Sequence, residues 1–201
     1  MRRLPALLVV VVLLLAAGCA ATPHTATSRR SSPSVAVDTP ALRAQKARAG
    51  IGSCTPGRAS NRLPAITLPC LGGGPSVNLT RLRGPLVINL FAQWCGPCRS
   101  ELPYYQRLHR KAKGTVGVLG VDYLDPQPAA ALALARHSGV TYPLAADPDG
   151  TLRTDLRVRG LPGIVLLDRS GRVAAVEYRS VRSYAELRGL VQDALHVRIP
   201  A

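Results

Sequence analysis

The sequence predicts an α/β fold with a central mixed β-sheet flanked by helices. Between residues 85 and 156, short apolar segments bounded by turn residues alternate with segments of helical composition. Two strand-like segments then follow one another across the Ser170-Gly171 turn. A closing segment, residues 184–196, carries its apolar residues on one helical face. Alternating strands and helices favour parallel pairing, and the hairpin adds antiparallel pairing, so a mixed sheet is expected.

The individual elements follow from the same patterns. Strands are predicted at residues 85–92, 115–123, 164–168 and 172–178, and helices at residues 99–113, 128–137, 147–156 and 184–196. A further short helix is predicted over residues 40–49. Thr39 is its N-cap, Pro40 takes its first position, and Gly50 ends it.

Composition narrows the class of protein. The 201 residues leave room for one ordinary domain with extra segments, and a hydrophobic content of 47% is ample for a core. The formal charge of +15 would suit an anionic partner. However, the arginines are spread along the chain and aromatic residues make up only 4%, so nucleic-acid binding is not expected. A basic surface that faces an anionic membrane fits this composition better.

The first residues have the features of an export signal. Arg2 and Arg3 precede an uncharged, mostly apolar run that ends at Cys19 and is short for a membrane-spanning helix. Residues 15–19, Leu-Ala-Ala-Gly-Cys, resemble a bacterial lipobox. We therefore predict a signal peptide over 1–18, a lipid-anchored flexible tether with a short helix over 19–50, and a domain over 51–198. A plain signal peptide, or an uncleaved anchor, remains the alternative.

The strongest chemical signal is a C-x-x-C motif, Cys95 to Cys98, placed directly after a buried strand and at the start of a helix. Unpaired backbone N–H groups and the helix dipole stabilise a thiolate at that position. Cys95 is therefore the predicted nucleophile and Cys98 the resolving thiol. Trp94 is expected to form an apolar lip beside the sulfur, where a substrate chain can dock.

Other uses of the motif fit less well. A c-type haem site needs a histidine after the second cysteine, where Arg99 stands. A zinc ribbon needs a second C-x-x-C motif, whereas fifteen residues separate Cys54 from Cys70. No cofactor and no metal are therefore expected. A purely structural disulfide at Cys95 and Cys98 remains an alternative.

The motif also carries a family resemblance. Residues 94–103, Trp-Cys-Gly-Pro-Cys-Arg-Ser-Glu-Leu-Pro, resemble the active-site segment of the TlpA/ResA group of extracytoplasmic thiol–disulfide reductases, and the first five residues are identical to the active-site string of thioredoxin. The resemblance covers roughly residues 63–195 and implies a thioredoxin-like fold. It implies that the enzyme, a thiol–disulfide oxidoreductase, acts on protein disulfides, with apocytochrome c as a frequent substrate. It also implies a membrane thiol carrier of the DsbD/CcdA kind as electron source.

The resemblance implies roles for further residues. Leu161-Pro162 resembles the cis-proline dipeptide that presents backbone to a bound substrate; an ordinary turn is the alternative. Glu101 resembles the acidic residue that handles protons in this group; a helix-favouring surface glutamate is the alternative. Asn89 stands where thioredoxins carry a buried aspartate, and since Asn89 cannot titrate, proton transfer at Cys98 would fall to Glu101 or to water.

Two cysteines remain once Cys19 is assigned to the lipid and the C-x-x-C motif to catalysis. Cys54 and Cys70 are an even pair, and a disulfide closing a loop of that size would stabilise the fold by about 3 kcal/mol. We predict a structural disulfide, with a second redox relay as the alternative.

The direction of electron flow stays open at this stage. Reduction of protein disulfides outside the cytoplasmic membrane, by a monomer held there through the lipid on Cys19, is the leading hypothesis. An oxidase that donates disulfides to secreted proteins is the second. A non-enzymatic lipoprotein that binds metal is a third, from another class of function.

Overall fold

The fold is built on a five-stranded mixed sheet, seen in a computed structural model that describes residues 35–201. Its strands are β3 (Leu86–Phe91), β4 (Gly117–Tyr123), β5 (Leu144–Asp147), β6 (Gly163–Leu167) and β7 (Val173–Glu177), in the spatial order β5-β4-β3-β6-β7. Two short strands, β1 (Thr67–Leu68) and β2 (Val77–Asn78), form a separate antiparallel pair. The helices are α1 (Pro40–Ala49), α2 (Gly96–Lys111), α3 (Pro128–His137), α4 (Leu152–Asp155) and α5 (Tyr184–Leu195), with a 3-10 turn at Leu79–Arg81.

Strand β3 occupies the centre of the sheet. It pairs in parallel with β4, where Phe91 lies beside Asp122, and antiparallel with β6, where Leu90 lies beside Gly163. All six residues of β3 are buried, as expected for a strand covered on both faces. The central strand therefore delivers the segment after Phe91 to a defined edge of the sheet.

Apolar side chains cover both faces of this sheet. On one face, Val87 and Phe91 of β3 pack with α2 and α5, and this cluster also contains Cys95 and Cys98. On the other face, Ile88 and Leu90 pack with residues of the β1–β2 region, and this cluster contains Cys54 and Cys70. Alternate residues of one strand thus serve two cores.

Most of the predicted elements are confirmed. Helix α3 has the predicted bounds, and no end of the four predicted strands differs from the observed one by more than two residues. The predicted helix over residues 147–156 is partly wrong, because residues 144–147 form strand β5 and only Leu152–Asp155 are helical. Two of the four residues of β5 are alanines, which favour strands weakly, so only its pairing with β4 identifies it as a strand.

Helix α1 forms where the sequence predicts it. The Thr39 hydroxyl accepts a hydrogen bond from Leu42 N at 3.2 Å, and Gly50 ends the helix with a φ of 67°. The helix packs against α3, with Gln45 Nε2 donating to Ala129 O at 2.7 Å. Residues 40–49, placed in the tether by the sequence analysis, therefore contact the domain directly.

The predicted signal peptide, Cys19 and residues 20–34 of the tether lie outside the described residues. Within residues 35–201, none of the helices combines the length and the apolar character that crossing a bilayer requires.

Candidate active site

The central strand leads straight into the C-x-x-C motif. Cys95 is the N-cap of α2, and its Sγ accepts a hydrogen bond from Cys98 N at 3.3 Å. Cys95 N in turn donates to Ala92 O at 3.1 Å, which fixes the turn between strand and helix. The first thiol therefore lies where backbone N–H groups favour a negative charge on sulfur.

Cys95 and Cys98 form a disulfide in this structure. Both are buried in this state, with 4% of Cys95 and 2% of Cys98 exposed. Their neighbour Trp94 is 54% exposed, and its Nε1 donates to Leu124 O at 3.2 Å. An indole held at the surface next to the disulfide gives the site an apolar contact face.

The Leu161–Pro162 peptide bond is cis, as the family resemblance implies. Pro162 immediately precedes β6, and Gly163, the first residue of β6, pairs with Leu90 near the end of β3. The proline thus lies at the end of the sheet where β3 finishes and the chain continues to Cys95. Pro162 itself is buried.

Glu101 lies on α2, three residues after Cys98, and is 2% exposed. Its Oε1 accepts a hydrogen bond from Val181 N at 3.1 Å, and its Oε2 has no partner among the described residues. Burial raises the pKa of Glu101 to about 7, a shift that the Val181 N–H partly offsets. This carboxyl group can therefore gain or lose a proton near neutral pH, and its burial argues against a surface glutamate.

Buried polar groups lie on the same face of the sheet, beneath α2. Asn89 of β3 is buried, and its Nδ2 has no hydrogen-bond partner within the described part of the chain. Tyr105 of α2 and Tyr142 are also buried, and burial raises the pKa of both hydroxyl groups. None of these three side chains carries a charge at neutral pH. Among the predicted site residues, Glu101 is therefore the buried group that titrates near pH 7.

Sequence reasoning missed two buried acids near the motif. Asp125 Oδ2 accepts a hydrogen bond from Gln93 N at 2.7 Å, and its Oδ1 accepts one from Gln127 N at 2.9 Å. Asp125 thereby holds the segment that leads to Trp94. Burial, reinforced by the neighbouring Asp125, raises the pKa of Asp122 to about 9. Both acids stand at the carboxyl end of β4, beside the end of the parallel β3, and this shared edge is the signal that could have identified them.

Cys54 and Cys70 form the second disulfide, as predicted. Cys70 lies beside Ala145 of β5, and Leu71 N donates to Leu144 O at 2.8 Å. This pair therefore stands on the β5 side of the sheet and belongs to the core cluster on the face opposite Cys95. The structure does not bring the two disulfides into one site.

Among residues 35–201, no group of three or more His, Cys, Asp and Glu side chains is arranged to hold a metal ion.

Comparison with known proteins assigns the chain to a family. Residues 59–176 match the sequence profile of the AhpC/TSA family. A thiol:disulfide interchange protein DsbE homolog of Paracoccus denitrificans is 36% identical over 112 residues, which are 55% of this chain and 60% of that protein. The chain thus spans about three fifths of the curated relatives it matches first.

Solved structures agree on the fold. A secreted thiol-disulfide isomerase from Corynebacterium glutamicum is 28% identical, with a TM-score of 0.58 over 68% of this chain and 86% of its own. The structure of DsbF from Mycobacterium tuberculosis is 25% identical, with a TM-score of 0.58 over 66% of this chain and 99% of its own. The thioredoxin-like fold class and the resemblance to extracytoplasmic thiol–disulfide proteins are thereby confirmed.

Proposed function

Because this chain belongs to the AhpC/TSA family, we propose that it is a thiol–disulfide oxidoreductase that reduces protein disulfides outside the cytoplasmic membrane through Cys95 and Cys98. One observation carries the proposal. Cys95 caps α2, and its sulfur accepts the Cys98 N–H at 3.3 Å, so the helix start is arranged to stabilise a thiolate there. Relatives named thiol:disulfide interchange proteins support the same chemistry.

The reaction needs only the two sulfurs and protons. The Cys95 thiolate attacks one sulfur of a substrate disulfide, an S–S bond forms between them, and the other substrate sulfur leaves as a thiolate. Cys98, once deprotonated, then attacks the Cys95 sulfur. The Cys95–Cys98 disulfide forms, the second substrate sulfur leaves, and two electrons have passed to the substrate.

Glu101 is the candidate for the proton step at Cys98. A carboxyl with a pKa of about 7 is balanced between its two protonation states in the pH range where a thiol must be deprotonated. Its position on the same helix, one turn from Cys98, supports this role. Asn89 cannot take it, because an amide does not titrate.

Trp94 and Pro162 are the candidates for binding the substrate chain. The exposed indole provides apolar surface next to the reactive sulfur. Pro162 lies at the same sheet edge, where its backbone can run beside an extended segment. Disulfide-bonded proteins, apocytochrome c among them, are the proposed substrates.

The compartment and the electron source belong to the same proposal. Removal of residues 1–18 and lipidation of Cys19 would hold the domain at the outer face of the cytoplasmic membrane. A membrane dithiol carrier of the DsbD/CcdA kind would then return electrons to Cys95 and Cys98. A Cys19→Ala variant should leave the membrane fraction or remain unprocessed; unchanged mass and fractionation would contradict the lipid anchor.

A trapping experiment tests the central step. The Cys98→Ser variant should accumulate a mixed disulfide between Cys95 and its substrate, because a serine hydroxyl cannot resolve it. The matched Cys95→Ser variant should capture nothing. Equal, low-level adducts in both variants would exclude Cys95 as the attacking residue.

Equilibration with glutathione and dithiothreitol buffers gives the reduction potential of the Cys95–Cys98 pair, and this potential decides the direction of electron flow. A reduction potential near that of thioredoxin, about −270 mV, supports a reductase. A reduction potential near that of DsbA, about −120 mV, would support the disulfide-donating oxidase instead.

The alternative that the protein binds metal is tested separately. A metal-to-protein ratio well below one, measured on the reduced protein, would contradict it.

A further inference from the structure

The second disulfide has a cation against it that neither the sequence nor the proposed function explains. Lys46 lies on α1, yet it is only 6% exposed. Its Nζ lies 3.0 Å from Cys70 Sγ and donates a hydrogen bond to Gly73 O at 2.7 Å. The three groups form one buried cluster: the Lys46 ammonium, the Cys54–Cys70 disulfide and the Gly73 carbonyl.

This ammonium has no carboxylate partner among residues 35–201, where the ion pairs join Arg43 with Asp38, and Arg179 with Glu177 and Glu186. The charge of Asp38 acts on Lys46, but both Asp38 oxygens accept hydrogen bonds from Arg43. Burial accordingly lowers the pKa of Lys46, and the charge of Asp38 offsets this only in part. A buried cation that lacks an anion is unfavourable, and an anion formed beside it would be stabilised.

Two glycines with left-handed backbone conformations allow the chain to pack closely against Lys46. Gly72 and Gly73 have φ values of 69° and 85°, and a Cβ at Gly72 would come within 2.9 Å of Lys46 Cβ. The glycine-rich loop after Cys70 thus closes directly over α1. Gly72 N donates to Val37 O at 2.8 Å, which ties the loop to the segment before the helix.

We propose that Cys54 and Cys70 form a second, reversibly reducible pair in which Lys46 stabilises the Cys70 thiolate. In the disulfide state the ammonium faces a neutral sulfur. Reduction turns that sulfur into the missing counter-ion, 3.0 Å away. The ammonium therefore favours the reduced form of this pair, whereas a buried thiolate without a cation would disfavour it. The inference does not depend on the function proposed for Cys95.

The electron balance is that of a dithiol exchange. A thiolate of an external dithiol attacks Cys54 Sγ, because the Cys70 thiolate, paired with Lys46, is the better leaving group. The Cys54–Cys70 bond breaks and a mixed disulfide forms on Cys54. The second thiol of the reductant then displaces Cys54, so two electrons reach the pair. Cys54 takes up one proton, and the other thiol proton passes to solvent while Cys70 stays ionised.

Access to Cys54 requires a local opening. Cys54 is buried, but it lies on residues 52–66, a stretch without helix or strand in this structure. Segments held by few regular hydrogen bonds open at a lower free-energy cost than sheet strands. Cys70 is held beside Ala145 of β5, and the Cys54 sulfur also lies against this strand, 3.2 Å from Leu144 O. The opening therefore has to move Cys54 away from β5, while Cys70 keeps its backbone bridge to that strand.

The test uses the full chain with Cys95→Ser and Cys98→Ser, so that only the second pair exchanges. The protein is equilibrated with dithiothreitol buffers, and alkylation of Cys54 and Cys70 is read by peptide mass spectrometry. Adding Lys46→Met should lower the equilibrium constant for reduction at least about tenfold, which corresponds to about 30 mV. Lys46→Arg, which keeps the cation, should stay within about threefold of the parent.

Lys111→Met is the matched control, because it removes an exposed lysine on α2 and leaves Cys70 untouched. It should leave the equilibrium unchanged. If Lys46→Met reduces as easily as the parent, or more easily, the proposal is wrong, since loss of a merely structural contact would loosen the pair rather than protect it.

A second measurement does not need a variant of Lys46. With Cys54→Ser added to the same background, the alkylation rate of Cys70 is followed against pH. The charged groups that face this thiol are Lys46 and, beyond it, the ion pair of Asp38 with Arg43. Two backbone groups also face it: the Cys54 N–H, which donates to Cys70 Sγ at 3.3 Å, and the Leu144 carbonyl oxygen at 3.5 Å. A Cys70 pKa clearly below about 8.5 is expected. A value at or above 8.5, the effect of burial alone, would overturn the proposal.

Discussion

The two disulfides of this protein are equally hidden from solvent but differ in what lies against their sulfurs. Cys95 and Cys98 are three positions apart at the start of α2, whereas Cys54 and Cys70 are sixteen apart and join a loop to the β5 side of the sheet. At the first pair a backbone N–H faces Cys95 Sγ. At the second pair a buried ammonium faces Cys70 Sγ. Burial alone therefore does not determine how a disulfide reacts; the groups that would face a thiolate do.

The two disulfides also differ in the apolar surface that is exposed beside them. Of the three large apolar side chains exposed among residues 35–201, Trp94 is the one that adjoins the first pair. The second pair is covered by α1 and by the glycine-rich loop after Cys70. The first pair therefore has an exposed apolar side chain beside it, whereas exchange at the second pair has to follow a local opening.

The largest expected effect separates the two pairs by activity. Cys95→Ser should lower the rate of reduction of a protein disulfide by more than about a thousandfold, because the thiolate nucleophile is lost. The matched double variant Cys54→Ala with Cys70→Ala should retain activity within about threefold wherever it folds, since these residues lie on the other face of the sheet. Turnover and circular dichroism are measured together. Equal loss of activity in two folded variants would contradict the division of roles.

How much of this arrangement the sequence reveals depends on how local it is. The strand, the C-x-x-C motif and α2 lie within residues 86–111, so the apolar pattern and the motif sufficed to place them. The caps of α1 were equally readable, because Thr39, Pro40 and Gly50 act within a few residues. Strand β5 was missed, since its identity depends on pairing with β4 rather than on its own composition.

The electrostatic features required contacts that are distant in sequence. Lys46 is buried only because the loop at Gly72 and Gly73 closes over it, and no pattern within α1 announces this. The pKa of Glu101 depends on its burial and on the N–H of Val181, eighty positions away. The sequence therefore predicted which residues carry the chemistry better than it predicted the environment that adjusts them.

The next prediction concerns the pH dependence of stability through Glu101. Its pKa is about 7 in the folded protein against an ordinary value of 4.5, so between these values the folded state binds more protons than the unfolded state. The stabilising contribution of this group is therefore present at low pH and is lost as pH rises through 7. Glu101→Gln, which stays neutral, should be more stable than the parent by about 3 kcal/mol at pH 8 and by less than about 0.5 kcal/mol at pH 4.5.

Urea unfolding of the oxidised protein at pH 4.5, 6 and 8 measures this difference. Glu177→Gln is the control, because this carboxylate on β7 pairs with Arg179 at 3.5 Å and is not among the groups that shift the pKa of Glu101. It should not gain stability at pH 8. A Glu101→Gln difference that does not change with pH would mean that the carboxyl is not protonated in the folded state.

A smaller effect is expected from the exposed indole beside the first pair. Trp94→Ala should slow the reduction of a protein disulfide about tenfold, because the apolar contact surface next to Cys95 is lost. Reduction of a small disulfide such as oxidised glutathione should change much less. Val176→Ala, which removes an exposed apolar side chain on β7, is the control. Equal slowing with both substrates would indicate that Trp94 acts on the sulfur itself rather than on docking.

The smallest expected effect concerns the N-cap of α1, the helix that places Lys46 beside the Cys54–Cys70 disulfide. Thr39→Ala removes the side-chain oxygen that accepts Leu42 N, and loss of such a cap costs about 1 kcal/mol. Because α1 carries Lys46, the loss should appear as faster amide hydrogen exchange in α1, while the Cys95–Cys98 equilibrium stays unchanged. Thr39→Ser keeps a hydroxyl and should exchange like the parent. If Thr39→Ser loses as much protection as Thr39→Ala, the threonine methyl and not the cap holds the helix. If instead the Cys95–Cys98 equilibrium shifts with the cap, the two disulfides are coupled across the sheet, and the separation of the two regions argued above does not hold.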